Sequence, residues 1–445
     1  MKRALKHIII SMLLPTVIFA QHTIKGTFSP AEDYNVALLY KVTPTVSEYI
    51  TNAEVKEDGS FIIQLDSTVT QGMYRLVYAI PQEDYNFDII YNGKEDVELT
   101  FNSETGAKFL TSLENKLLAS YTNSMSMVTH SIGKFFSEQS TDTLALAKIF
   151  ETQKDTQKNY EEAAKDHIVL EFIKANKPYT PEGFEDVKTY VNNLKDHYFD
   201  YVDFTNETLQ SSNFLEERVL NYVFGMTIDS DDEIVNYKTN IDVVNKAMNE
   251  APNGVKRILW VSLWQQMVDL NFETVANYIS EEYLMDIAVA MNDQELLNAL
   301  IRYENVSIGK IAPDFSFEVG EGAKNELKKL SELNDAEHYV LVFWNSTCAH
   351  CLDEIPLLQT YLKGKSKDKV QVIAIALEEE PNPWKDLITN YPEFIHVYGE
   401  GKWENPIGND YSVTATPTYF ILDKDKKIIG KPEDFEDLNK FLEDD

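Results

Sequence analysis

Cysteine is almost missing from this chain: 445 residues contain only Cys348 and Cys351. That excludes a disulfide-stapled scaffold, because a three-residue gap closes almost no loop and constrains the unfolded chain little. Cationic side chains are also scarce. Forty Lys and Arg stand against 73 Asp and Glu, for a formal net charge of −33. This excludes nucleic-acid binding through a basic face and electrostatic docking on anionic membranes. Beyond residue 20 no apolar run approaches the roughly 20 residues that a spanning helix needs, so no transmembrane segment is expected once the first residues are removed. Repeats and low-complexity tracts are lacking. His167 and His197 are isolated, and no His-Glu-x-x-His spacing occurs, so no metal or other cofactor is expected.

What is present is apolar material for large cores, 43% of residues, with 24 Tyr and 23 Phe. Lys2, Arg3 and Lys6 precede the largely apolar stretch Ile8 to Ala20, the pattern of an export signal spanning residues 1–20. With no cysteine near residue 20, lipidation of an N-terminal cysteine is excluded. The expected location is the periplasm or cell envelope.

The remainder reads as three domains, since 445 residues exceed what one core usually serves. Residues 21–103 alternate apolar and polar positions at Ile24, Gly26 and Phe28, at Val36, Leu38 and Tyr40, and at Tyr74, Leu76, Tyr78 and Ile80. Phe61, Ile63 and Leu65 follow Asp58-Gly59, a hairpin signal. These short strands predict a β-sandwich. From 104 to 304 the apolar spacing turns to three and four, as at Phe109, Leu110, Leu113 and Leu117, predicting an all-α domain whose stripes are packing faces. From 305 to 445 strands alternate with helices, predicting an α/β domain with a mixed sheet. Leu327, Leu330 and Leu333 are expected in a short helix or turn.

The chemistry gathers at Val340 to Pro356. The apolar strand Val340 to Trp344 runs into Cys348-Ala-His-Cys351, which opens a helix marked by Leu352, Ile355 and Leu358. Two sulfurs one turn apart can close a disulfide, and the helix N-terminus favours a thiolate on the first. Cys348 is then the attacking thiol and Cys351 the resolving one. His350, between them, would stabilise the thiolate if protonated; a solvent-facing ring of small effect is the alternative. Trp344 is expected to pack beneath the site.

Residues 305–445 resemble the thioredoxin-fold domain of the TlpA-like thiol-disulfide oxidoreductases, a branch related to the AhpC/TSA families. The resemblance rests on Gly309-Lys-Ile-Ala-Pro-Asp-Phe315, Leu330-Ser-Glu-Leu333, Phe343-Trp344, the Cys348–Cys351 motif, Thr416-Pro417 and Asp423-Lys-Asp425, in that order. The first 300 residues more weakly resemble the β-rich and helical segments ahead of such modules in exported Bacteroidetes proteins. The resemblance implies that Thr416-Pro417 is a cis-proline loop that, with Trp344 behind it, forms the substrate side of the site. It implies that Glu354 matches an active-site carboxylate of cytochrome-maturation reductases; a solvated helix-face carboxylate is the alternative. It also implies that Pro356 is the fold's helix proline.

Two positions depart from the pattern. Thr347 stands where the family usually has Trp, and Val342 where plain thioredoxins bury an Asp. The expected activity is reduction or isomerisation of disulfides in envelope proteins, with protein thiols and disulfides and a membrane or envelope electron donor as partners. Three other readings compete: an envelope binding protein with an auxiliary module, a thiol peroxidase, and metal capture by Cys348, His350 and Cys351. Peroxidases carry Thr where Asn345 stands.

Overall fold

The computed structural model describes residues 22–444 except 43–46, 83, 227–231, 320–325, 364 and 367. The export-signal stretch lies outside the described residues. The chain divides into two compact units after Gln266.

The first unit begins with strands β1 (His22–Ser29), β2 (Val36–Lys41), β3 (Glu48–Glu54), β4 (Ser60–Leu65), β5 (Gly72–Val77), β6 (Asn86–Tyr91), β7 (Val97–Asn102) and β8 (Gly106–Phe109). They form two four-stranded sheets, ordered β4-β1-β7-β8 and β3-β2-β5-β6. One core draws on both, including Ile24, Phe28, Phe61 and Leu99 from the first and Leu39, Tyr74, Leu76 and Ile89 from the second. Period-two alternation puts each of these on an inward face. Gly26 pairs with Phe61, and a Cβ there would lie 2.2 Å from the Phe61 ring, so only glycine leaves room for it.

Two expectations are corrected here. Asp58-Gly59 does form a turn, with Gly59 at φ 78°, yet β3 and β4 around it belong to different sheets. The turn carries the chain from one sheet to the other, and the apolar residues on its two sides, Ile50 and Ala53 before it and Phe61 and Ile63 after it, pack into the one shared core. Phe109 does not begin a helical stripe. It closes β8 opposite Leu99, and the helix starts at Leu113, capped by Ser112.

Helices follow: α1 (Leu113–Ser137), α2 (Thr143–Ala163), α3 (Val169–Ala175), α4 (Val187–Asp196), α5 (Glu207–Gln210), α6 (Phe214–Gly225), α7 (Glu233–Ala247) and α8 (Asn253–Asp269). Side chains of Asp142, Asp186, Asn206 and Asp232 cap the N-termini of α2, α4, α5 and α7, accepting N–H groups that the first turn cannot pair. Buried Asn115 joins α1 to the β region: its side chain accepts the Ile90 N–H at 2.9 Å and donates to the Ile90 carbonyl at 2.7 Å. None of the helices among the described residues is long and apolar enough to cross a membrane.

The second unit contains α9 (Glu273–Ile279), α10 (Met285–Ala290), α11 (Gln294–Asn305), β9 (Ser316–Val319), β10 (Glu326–Lys329), β11 (His338–Trp344), α12 (Ala349–Leu362), β12 (Val370–Glu378), α13 (Pro381–Leu387), β13 (Ile395–Glu400), α14 (Pro406–Asp410), β14 (Thr418–Asp423), β15 (Ile428–Gly430) and α15 (Phe435–Asp444). Leu327 lies in β10, not in a helix or turn. β10 pairs antiparallel with β9, and only Leu330–Glu332 makes a tight helical turn.

The main sheet is ordered β13-β12-β11-β14-β15. β11 is parallel to β12 and antiparallel to β14, and both of its faces are buried. Tyr339, Leu341 and Phe343 fill the core on one face. Val340, Val342 and Trp344 join Cys351, Ile355 and Leu358 of α12 on the other. This explains the unbroken apolar run, since a strand covered on both sides has no polar positions to spare. The pairing of Phe343 with Thr418 brings the start of β14 to the end of β11, where α12 begins. This is a thioredoxin-like α/β fold, preceded by a helical middle and a sheet-rich N-terminal region.

Candidate functional site

Cys348 is the N-cap of α12. Its backbone is extended (φ −81°, ψ 121°), and its Sγ accepts the Cys351 N–H at 3.5 Å. It plays the part that Ser or Asp plays at other helix starts, meeting an otherwise unpaired N–H of the first turn. Cys351, one turn on, is fully buried between α12 and the sheet. Both are free thiols.

The two sulfurs titrate in opposite directions. Burial works against ionisation of Cys348. The hydrogen bonds reaching its sulfur from Cys351, from the Thr416 side chain and from the His350 backbone outweigh that burial, and the thiol lies below its ordinary value. Burial pushes the Cys351 thiol up to about 12, with the hydrogen bond to Cys348 adding to it. An accessible thiol that ionises readily thus sits beside a buried one that holds its proton.

Thr416-Pro417 lies opposite. The peptide bond is cis, as the resemblance implied, and the Cys348 thiol donates to the Thr416 carbonyl at 3.3 Å. Trp344 packs beneath the site, one of the two places expected for it, and does not share the substrate side. It is fully buried, edge-on to Tyr391 at 6.4 Å between ring centroids, so it supports the site from below and presents no surface to a partner. The His350 ring is exposed, with no hydrogen bond among the described residues; it is the backbone N–H of His350 that acts on the Cys348 sulfur.

Glu354 is half-buried. Its Oε2 accepts the Tyr419 hydroxyl at 2.8 Å and the Phe435 N–H, at the start of α15, at 3.0 Å. It is therefore a held carboxylate, unlike a freely solvated one.

Three residues at the site were not read as site residues from the sequence. Asn345 directly follows β11, with its side chain buried. It donates to the Leu377 carbonyl at 2.5 Å and to Glu378 at 3.2 Å, and its Oδ1 accepts both the N–H and the hydroxyl of Thr347. Glu378 ends β12, is 3% exposed, and accepts the Ser346 N–H at 2.6 Å. Together they fix the three residues between strand and Cys348. Their signal was a polar residue directly after an apolar run, Val340 to Trp344 or Val372 to Leu377, at the same sheet end as the cysteines. Tyr419, two residues after Pro417, is the third. Among the described residues no cluster of three or more His, Cys, Asp or Glu is placed to hold a metal ion.

A family model described as thioredoxin-like matches residues 334–428. The thiol-disulfide oxidoreductase ResA of Bacillus cereus is 35% identical over 130 residues, covering 29% of this chain and 70% of that protein. Among solved structures, a C-terminal domain of a candidate thiol-disulfide oxidoreductase from Bacteroides thetaiotaomicron is 26% identical, with 32% of this chain and 96% of that one covered at a TM-score of 0.28. A thioredoxin-like protein from Bacteroides caccae is 19% identical, with 60% and 96% covered at a TM-score of 0.32.

Proposed function

Because the chain belongs, through its C-terminal domain, to the thioredoxin-like thiol-disulfide oxidoreductases, we propose that it exchanges disulfides of exported proteins through Cys348 and Cys351. One observation carries this reading: a partly buried Cys348 caps α12 with its proton affinity lowered, one turn ahead of a fully buried Cys351.

The Cys348 thiolate attacks one sulfur of a partner disulfide. The partner's S–S bond breaks, its other sulfur leaves as a thiolate that takes up a proton, and a mixed disulfide joins Cys348 to the partner. Cys351 then gives up its proton and attacks the Cys348 sulfur. The mixed disulfide breaks, the second partner thiol leaves, and the Cys348–Cys351 disulfide forms. Two electrons have passed from protein to partner. A dithiol donor at the membrane or in the envelope must return them.

Glu354, one turn beyond Cys351 on the same side of α12, is the acceptor for the Cys351 proton. Thr416 and Pro417 are the wall along which an extended partner segment lies, and His350 modulates the thiolate from solvent. The direction assigned is reduction, with isomerisation as its variant. The charged, apolar-centred residues 1–20 support export to the periplasm or envelope. The two sheets sharing one core at residues 22–109 are read as a β-sandwich.

The test is the reduction potential of the Cys348–Cys351 couple in the full chain, together with disulfide reduction by wild type and by Cys348→Ser. Dithiols of this kind span about −270 to −120 mV. A value in the lower half, with exchange abolished by Cys348→Ser, supports the reductase reading. Equal exchange by wild type and mutant would reject it.

A further inference from the structure

Cys351 poses a proton problem that thioredoxins meet with a buried Asp and this chain does not, because Val342 occupies that strand position. In β14, the strand paired to β11, Tyr419 stands directly opposite Val342. Cross-strand partners project to the same face of a sheet, and both residues belong to the core that contains Cys351. Tyr419 is 1% exposed. A phenol buried that deeply needs a partner for its hydroxyl, and it has one in Glu354 Oε2 at 2.8 Å.

The two oxygens of Glu354 are not equivalent. Oε2 is occupied by Tyr419 and by the Phe435 N–H. Oε1 accepts no hydrogen bond among the described residues, and it is absent from the buried unpartnered atoms, so it retains contact with solvent. One oxygen is clamped and the other is open to a proton. Tyr419 also senses both groups. Burial, then the charge on Glu354 and the hydrogen bond to it, then Cys351, all raise its phenol. It therefore stays protonated and acts only as a donor toward the carboxylate.

We propose that Tyr419 is a positioning residue for the resolving step: its hydroxyl, reaching from the position opposite Val342, clamps Glu354 Oε2 so that Oε1 is presented to take the proton of Cys351. In that step the Cys351 S–H bond breaks, its proton passes to Oε1, and the sulfur attacks Cys348 of the mixed disulfide and expels the partner thiolate. No outside oxidant is needed beyond the partner disulfide. The inference rests on the Cys348–Cys351 reading above.

The test uses the full reduced chain and oxidised glutathione, following mixed-disulfide formation at Cys348 and its resolution by Cys351 as separate phases. Tyr419→Phe keeps the ring and removes one hydrogen bond to a charged group, so resolution is expected to slow about tenfold. Its pH profile is expected to shift, while the first phase changes by less than about twofold. In a Glu354→Gln background the same substitution is expected to add almost nothing, because the two act as a unit. A Tyr419→Phe effect that persists undiminished in Glu354→Gln would show a packing role only and overturn the proposal. So would a resolution rate unchanged in Tyr419→Phe. If Tyr419→Phe fails to fold, Glu354→Gln alone decides: resolution at the wild-type rate leaves Tyr419 no carboxylate to position and overturns the proposal. No mixed disulfide in wild type would instead reject the underlying dithiol reading.

Discussion

The backbone N–H of Cys351 points at the sulfur of Cys348 across 3.5 Å, while the Cys351 sulfur itself is fully buried. One turn of helix thus separates two thiols of unlike reactivity. The partly accessible one is stabilised as an anion and the hidden one as a neutral thiol.

This asymmetry assigns the steps. Cys351→Ser should retain attack by Cys348 and accumulate a mixed disulfide with partner proteins, which non-reducing electrophoresis and mass spectrometry would detect. Cys348→Ser should accumulate none. Equal trapping by the two variants would reverse the assignment.

Alkylation of the reduced protein by iodoacetamide should follow Cys348 alone at neutral pH, with a midpoint below the ordinary thiol value of 9.0. Peptide mapping should show Cys351 unmodified until far higher pH, consistent with its thiol lying at about 12. Substantial labelling of Cys351 at pH 8 would contradict the burial that raises it.

The same shift has a consequence for stability. The folded Cys351 holds its proton above the pH at which the unfolded one releases it. Between about 9 and about 12 the native state therefore binds more protons, and stability falls with rising pH. The slope from this group is at most about 1.4 kcal/mol per pH unit. Oxidation removes the titration. The stability gap between disulfide and dithiol forms should therefore widen in favour of the disulfide form as pH rises through this window. Parallel denaturant curves at pH 9.5 and 11, above the unfolded thiol value so that Cys348 no longer contributes, with an unchanged gap, would refute it.

Glu378→Ala leaves the Ser346 N–H and one Asn345 amide contact without their acceptor. A loss of roughly 1–3 kcal/mol is expected for such buried groups, measured by chemical denaturation. The loop entering Cys348 should loosen with it, seen as faster amide exchange at Ser346 and Thr347. Full protection of those amides in the variant would show that the loop holds itself.

Asn115→Ala should destabilise the first unit by about 2 kcal/mol, since the Ile90 N–H and carbonyl both lose a buried partner. The reduction potential of the cysteine pair should stay unchanged. A shifted potential would contradict the local character of this contact.

Much of the redox unit was legible in order along the chain. The unbroken apolar run Val340 to Trp344 announced a strand covered on both faces, and a Cys-x-x-Cys at the head of an amphipathic stretch announced its chemistry, because both signals are local. The turn at Asp58-Gly59 was legible as a turn but misleading as a hairpin. A turn residue reports its own backbone, and which sheet each flanking strand joins depends on partners far away. Phe109 misled in the same way, since its strand pairing with Leu99 outweighed the helical spacing that followed.

By itself, the sequence determined the strand, the dithiol and the helix they open, because local periodicity and residue chemistry suffice for these. It could not determine which side chains surround the sulfurs. Asn345 just after β11, Glu378 at the end of β12 and Tyr419 in β14 meet only when the sheet assembles, and Glu354 becomes a held carboxylate only when β14 and the start of α15 supply donors. Hydrogen bonds between residues 33, 65 and 81 positions apart leave no periodicity to read; tertiary packing alone decides them.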